Sequence, residues 1–224
     1  ERLVPGFFRF LDRFNEIEGH AKYVKTQLTA PFSIGLGLKD EGGKAIIYNE
    51  SYFDIVKKAL HLRARWMVSH IRSRFPGKGV IIFFDEPYLV SFGSAYVSIS
   101  KEDAVSLLND VTGGIDAIRG IHCCGNTDWS VLFNADIDIV NYDAFNYLDT
   151  IFYFERDLKR FLEKGGRVAP GIVPSSENIA ETSRDHVAGL FKRFYESMGR
   201  AGADMEAASY LVKTSSGMGS LKAA

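Results

Sequence analysis

The chain has very little cysteine, no long apolar run and almost no net charge. Its two cysteines, Cys123 and Cys124, are adjacent, so they cannot staple a fold through a disulfide framework. No apolar run approaches the about 20 residues of a membrane span. A formal net charge of -1 gives no basic footprint for nucleic acid and no polybasic patch for a membrane. These absences predict a cytoplasmic protein whose partners are neither nucleic acid nor membrane.

The composition is that of a folded domain. With 224 residues, 46% of them hydrophobic, the chain is long enough to bury a full core. No low-complexity linker and no shift of composition divides it, so residues 1–224 are predicted to form one domain.

Short β-rich apolar runs alternate with longer segments of helical periodicity, which is the pattern of parallel βα units. Six runs are predicted as strands: Tyr23–Leu28, Val80–Phe84, Ile115–His122, Ile137–Tyr142, Arg167–Ile172 and Ser209–Lys213. Five segments are predicted as helices: Phe7–Phe14, Tyr52–Phe75, Lys101–Val111, Tyr147–Lys164 and Glu177–Met198.

The chemically useful polar residues follow the predicted strands. Asp85 and Glu86 follow the second, His122 ends the third, Asp143 follows the fourth and Ser176 follows the fifth. The carboxyl ends of parallel strands form the catalytic mouth of a (β/α)8 barrel, and they also collect ligands in a doubly wound open sheet. The pattern therefore predicts one site shared by several strands and leaves both folds open.

His122 and Cys124 are the most informative pair. Residues i and i+2 on a strand point to the same side, so an imidazole and a thiol converge where the third strand runs into its loop. Two such groups at one point suit a zinc ion. As alternatives, the cysteine is a small buried hydrophobe and the histidine a satisfied core residue.

Several motifs in register resemble the catalytic barrel of cobalamin-independent methionine synthases. The motifs are Val80–Pro87, His122–Asn126, Asp143 after Ile139-Val140, and Ser215–Gly219. The same superfamily contains corrinoid-dependent methyltransferases, whose zinc segment is similar to His122–Thr127, and the uroporphyrinogen decarboxylases. The resemblance implies a TIM (β/α)8 barrel of which this chain supplies strands three to eight. We therefore expect an N-terminal portion with the first two strands to be missing, or another chain to complete the barrel.

The resemblance also implies roles for individual residues. His122, Cys124 and Asp143 match zinc ligands, while Ser216 stands where the family has a further cysteine, and a serine hydroxyl is a weaker zinc ligand. Asp85 matches a carboxylate that holds the substrate amino group, and Glu86 is expected to assist it in catalysis. Ser176 and Ser216, in the last two strand-end loops, are expected to contact the substrate.

Each of these residues also has a purely structural interpretation. Asp85 and Glu86 could be ordinary loop residues, with Glu86 bracing the loop. Asp143 could be a helix N-cap, and Ser176 could cap the helix that follows it. Ser215–Gly217 has the composition of an anion-binding loop that needs no metal.

Three functions follow as hypotheses. The first is a zinc-dependent methyltransferase acting on a small-molecule thiol such as homocysteine, with a methyl-corrinoid protein or a methyl-folate as donor. The second is a metal-free enzyme like the uroporphyrinogen decarboxylases, with Asp85 acting on a pyrrole-type substrate. The third is a non-catalytic barrel that binds a small ligand or a corrinoid protein.

Overall fold

The computed structural model describes residues 4–17, 19, 21–204 and 212–215. Within these ranges the strands are β1 (Tyr23–Thr29), β2 (Gly79–Asp85), β3 (Ile118–Cys123), β4 (Ile139–Tyr142), β5 (Arg167–Val173) and β6 (Lys213–Thr214). The α-helices are α1 (Pro5–Ile17), α2 (Pro31–Gly37), α3 (Glu50–Arg74), α4 (Lys101–Thr112), α5 (Trp129–Asn134), α6 (Ala144–Tyr147), α7 (Glu155–Glu163) and α8 (Arg184–Arg200). Short 3-10 helices cover Ile46–Tyr48, Pro87–Ser91, Thr150–Phe154 and Glu177–Ala180.

The strands form one parallel sheet in the order β1-β2-β3-β4-β5-β6. Each crossover therefore returns to the neighbouring strand. Because such crossovers are almost always right-handed, helices that follow successive strands gather on the same face of the sheet. The predicted α/β class is confirmed, and the sequential order is consistent with a barrel-like α/β fold.

One face of the sheet, the helix-covered face, carries the main hydrophobic core. Alternate strand residues point to opposite faces. Val24, Ile82 and Ile121 are fully buried on this face and share a core with Ile71 of α3 and Leu108 of α4. The main core therefore lies between the sheet and its helices.

The opposite face, the inner face, carries a smaller apolar cluster. Phe83 of β2, Ile139 of β4 and Ala169 of β5 are buried together there. β2 and β4 are not neighbours, and the Phe83 ring crosses β3 at Gly120. A Cβ at Gly120 would lie 2.6 Å from Cε1 of Phe83. Glycine at this position therefore leaves room for the Phe83 ring over β3.

The predicted strands agree with the structure except near their ends. β3 and β4 begin at Ile118 and Ile139, later than predicted. Ile115 and Ile137 precede these strands and are buried in the core, so apolar loop residues imitate strand residues in the sequence. Of the predicted last strand, residues 209–211 lie outside the described ranges.

The prediction of a single helix over Tyr147–Lys164 is wrong. The chain there forms the end of α6, a 3-10 helix and α7. The Thr150 hydroxyl donates to the Tyr147 carbonyl, which ends α6 by a local hydrogen bond that competes with the helix.

The helix predicted over Glu177–Met198 is also interrupted. The Ser183 hydroxyl accepts from the backbone N–H of His186 and begins α8 afresh. By contrast, α3 and α4 match their predicted segments within two residues. No helix in the described ranges is long and apolar enough to cross a membrane.

Candidate functional site

The ends of β2, β3 and β4 place Asp85, His122 and Asn141 in one row on the inner face. In the sheet register Asp85 pairs with His122, and His122 pairs with Asn141. Asp85 follows Phe83 by two residues and Asn141 follows Ile139 by two, so all lie on the face of the inner cluster. The structure therefore brings Asp85 and His122 together, as the strand-end pattern predicts.

Asn141 orients the imidazole of His122. Oδ1 of Asn141 lies 2.6 Å from Nδ1 of His122, and Nδ2 of Asn141 donates to the Ala169 carbonyl at 2.6 Å. His122 and Asn141 are buried. A continuous hydrogen-bonded chain therefore runs from β5 through β4 to β3.

Cys124 lies just beyond β3 and is half-buried. Burial raises the pKa of its thiol, and the carboxylates of Asp143 and Asp85 raise that pKa further. The charges of Asp143 and Asp85 therefore both disfavour a thiolate at Cys124.

Cys123 belongs to the helix-covered face. It is fully buried in the main core. Burial raises the pKa of its thiol to about 12, so this thiol stays protonated and inert. The two adjacent cysteines therefore have different surroundings, as alternation along a strand requires.

Asp143 caps α6, so its interpretation as a helix N-cap is confirmed. Its Oδ1 accepts from the backbone N–H of Asn146 at 3.1 Å, and its Oδ2 accepts from Nδ2 of Asn146 at 2.6 Å. The side chain is buried. Any ligand that Asp143 binds must therefore share this carboxylate with Asn146.

The predicted zinc ligands meet one requirement of a metal site and not the other. An imidazole, a thiol and a carboxylate are donor types that zinc prefers. Across the described ranges, however, no three or more His, Cys, Asp and Glu side chains are grouped so that they could hold a metal ion. His122, Cys124 and Asp143 therefore lie in one region without forming a three-ligand site.

Glu86, the neighbour of Asp85, points away from the inner face. Its carboxylate is fully buried and accepts hydrogen bonds from the backbone N–H groups of Phe32 and Ser33, each at 2.8 Å, and from the Ser33 hydroxyl at 2.6 Å. Burial raises the pKa of Glu86 to about 7, although these hydrogen bonds lower it. The contacts give Glu86 the bracing position of the structural interpretation, while its catalytic role stays a prediction.

Lys25 adds a positive charge to the inner face. Its Nζ lies 4.9 Å from the ring centroid of Phe83 and donates to Oε1 of Gln27 at 2.6 Å. Burial lowers the pKa of Lys25, while the negative charge of Asp85 raises it. A half-buried ammonium group therefore lies within electrostatic range of Asp85.

The loop after β3 is held by its own polar residues. Oδ1 of Asn126 accepts from Nε1 of Trp129, and the Thr127 hydroxyl donates to the Leu89 carbonyl at 2.7 Å. A Cβ at Gly125 would lie 2.6 Å from Cγ1 of Val90. The segment after Cys124 therefore fixes the loop against the chain that follows β2.

The serines after β5 and β6 are only partly described. Ser175 and Ser215 are buried, and their hydroxyl oxygens lie 3.2 Å apart. The backbone N–H of Ser175 also donates to Oγ of Ser215. Ser176 is exposed at the same end of the sheet, and Ser216 lies outside the described residues. The substrate contacts expected of Ser176 and Ser216 stay predictions.

Asn141 and Asn146 are site residues that the sequence motifs do not predict. Asn141 interrupts the apolar run Ile139–Tyr142, and a buried amide needs hydrogen-bond partners. Its position two residues before Asp143 puts both on one face, which was the available signal. Asn146 gave a weaker signal, because an asparagine after a helix start is common.

No family model matches the chain, and no curated protein matches it. Among solved structures, it is similar to the crystal structure of an uncharacterized protein at 14% identity and a TM-score of 0.34. The alignment covers 67% of this chain and 37% of that protein, so it spans well under half of that protein's length. A likeness of this size carries no argument, and function has to be inferred from the site.

Proposed function

We propose that the chain transfers a methyl group to a thiol at the carboxyl ends of β2, β3 and β4, and that its sheet is part of a (β/α)8 barrel. One observation carries the proposal. The register of β2 and β3 places Asp85 beside His122 in one row on the inner face. Sequential parallel strands and the apolar cluster on the inner face support the barrel.

Asp85 is proposed to hold the substrate. It is half-buried at the end of β2, where a carboxylate can accept hydrogen bonds from an ammonium group. Such a contact supplies both charge and direction, and positioning is most of what a methyl transfer requires of the protein. Lys25, within electrostatic range of Asp85, suits a substrate carboxylate.

His122, Cys124 and Asp143 are the residues proposed to hold zinc, and the three side chains would have to move together from their described positions to do so. When bound, zinc would present a substrate thiol as a thiolate at neutral pH. Without a metal ion, the raised pKa of Cys124 keeps its own thiol protonated at neutral pH. The methyl donor that the family resemblance implies is a methyl-corrinoid protein or a methyl-folate.

The first experiment is elemental analysis of the full-length protein purified without added metal. We expect near-stoichiometric zinc in the wild type and its loss in His122→Ala and Cys124→Ala. Cys123→Ala is the matched control, because this neighbouring thiol lies in the main core and should not affect zinc content. A folded wild type that takes up no zinc would contradict the metal-dependent proposal.

The second experiment tests the transfer itself. The wild type and Asp85→Asn are mixed with homocysteine and free methylcobalamin, and methionine is quantified. We expect methionine from the wild type and a fall of about 100-fold in kcat/KM for Asp85→Asn, because the substrate ammonium loses its charged partner. Equal rates in both proteins would exclude Asp85 from the reaction.

A metal-free decarboxylase is a second candidate, because the described His, Cys, Asp and Glu side chains form no group of three that could hold a metal ion. In that case Asp85 would act on a pyrrole-type substrate and Lys25 would pair with one of its carboxylates. Porphyrinogen turnover by chelator-treated protein, with no zinc requirement, would favour this function over methyl transfer.

A further inference from the structure

Only one orientation of the Asn141 side-chain amide gives both of its polar atoms suitable hydrogen-bond partners. Asn141 is fully buried in β4, between β3 and β5. The Ala169 carbonyl on β5 can only accept a hydrogen bond, so the atom facing it at 2.6 Å must be Nδ2. A flipped amide would put two acceptor oxygens in contact. Oδ1 therefore faces β3.

The orientation of this amide decides the protonation of His122. Nδ1 of His122 lies 2.6 Å from Oδ1 of Asn141, an atom that only accepts. Nδ1 must therefore carry the proton. In the neutral imidazole the lone pair then belongs to Nε2, whereas the other tautomer would place two lone pairs against each other at this distance.

We infer that Asn141 is a positioning residue that holds neutral His122 in the tautomer with its proton on Nδ1 and its lone pair on Nε2. A fixed lone pair is what a histidine needs as a metal ligand or as a base. The inference rests on the proposed function only in treating His122 as part of the site. The Ala169 carbonyl fixes Asn141, so the main chain of β5 sets the chemistry of a side chain two strands away.

The test is the tautomer of His122, measured by long-range proton–nitrogen NMR correlations on the chelator-treated full-length protein at a pH where the ring is neutral. We expect the wild type to show the proton on Nδ1. In Asn141→Ala the ratio of the two tautomers should shift by about tenfold toward a proton on Nε2, the loss expected for one buried hydrogen bond. Asn141→Leu has a similar volume and no acceptor toward Nδ1, so it should shift the ratio in the same direction.

His61 is the internal reference in the same spectra. Its Nδ1 lies 3.0 Å from the Val111 carbonyl, so a main-chain acceptor sets its tautomer and no variant at position 141 should change it. Wild-type His122 with its proton on Nε2 would overturn the inference, as would a folded Asn141→Ala that keeps the wild-type tautomer. If Asn141→Ala does not fold, the wild type and Asn141→Leu decide. Neither measurement needs zinc or substrate, so failure of methyl transfer leaves this result standing.

Discussion

Asp85 and Glu86 are adjacent carboxylates at the end of β2, and they lie on opposite faces of the sheet. Asp85 is half-buried on the inner face, in the row that continues to His122. Glu86 is fully buried toward the helices, where α2 donates three hydrogen bonds to it. Because side chains alternate along the strand, two neighbouring carboxylates have different surroundings and different partners. On the helix-covered side polar groups connect elements, and on the inner face they line the site.

The largest effect expected from this difference is the loss of stability in Glu86→Ala. Removing the carboxylate leaves the N–H groups of Phe32 and Ser33 and the Ser33 hydroxyl without their buried partner. We expect the free energy of unfolding to fall by about 4 kcal/mol, since each unsatisfied buried group costs about 1–3 kcal/mol. Urea unfolding followed by circular dichroism measures it.

The matched control is Asp85→Ala, which should lower the free energy of unfolding by less than about 1 kcal/mol, as for a partly exposed charge. It should nevertheless abolish the proposed methyl transfer. Equal losses of stability in the two variants would contradict the idea that Glu86 is structural and Asp85 is not.

A somewhat smaller effect is expected from pH. Burial raises the pKa of Glu86 from 4.5 to about 7 in the folded protein. Between these values the folded state holds a proton that the unfolded state has released, so the free energy of unfolding decreases as pH rises. The contribution of Glu86 should therefore fall by about 3 kcal/mol from pH 4.5 to pH 7 and then stay level.

Glu86→Gln isolates this contribution, because glutamine cannot titrate. Its unfolding free energy, measured in urea at intervals from pH 4.5 to 8, should depend less on pH than that of the wild type. Parallel curves for the two proteins would show that Glu86 does not titrate in this range.

On the inner face, Gly120→Ala tests the packing that supports the site. The new Cβ would lie 2.6 Å from Cε1 of the Phe83 ring, so the ring must shift. We expect a loss of about 2 kcal/mol in unfolding free energy, as for other overpacked sites. Gly189→Ala in α8 is the control, because no atom lies within 4 Å of its added Cβ. It should raise stability by about 0.5–1 kcal/mol, and a similar gain in Gly120→Ala would disprove the close contact.

Much of the fold could be predicted because its signals are local. The alternation of apolar strands with amphipathic helices gives the parallel sheet, and the Pro76-Gly77 pair marks the end of α3. The interruptions at Thr150 and Ser183 were missed because a side chain that bonds its own backbone leaves the apolar periodicity intact. Local periodicity does not report such bonds.

The candidate site was less predictable, because its geometry depends on contacts between strands. The spacing of His122 and Cys124 predicts that they share a side, and this stays a prediction because Cys124 lies just beyond β3. The bond from Asn141 to His122 depends on the register of β3 and β4, which the sequence does not state. The hydrogen bonds from Asn146 to Asp143 join residues three apart in the chain, and the N-cap interpretation of Asp143 predicts the bond from the backbone N–H.

The smallest effect is expected at the adjacent cysteines, whose rates of alkylation should differ between the two faces of the sheet. Cys124 is half-buried beside the site, while Cys123 is fully buried and its pKa is raised to about 12. At pH 8 iodoacetamide should label Cys124 at least about tenfold faster than Cys123, because only an accessible thiolate reacts. Because the two cysteines are adjacent, each rate is measured in the folded variant that keeps only that cysteine: Cys124 in Cys123→Ala and Cys123 in Cys124→Ala. Mass spectrometry of the labelled peptide gives the rate. Since burial also raises the pKa of Cys124, its labelling should still be slow compared with a free thiol. Faster labelling of Cys123 would mean that Cys123, and not Cys124, faces the site, which would contradict the burial of Cys123 in the main core.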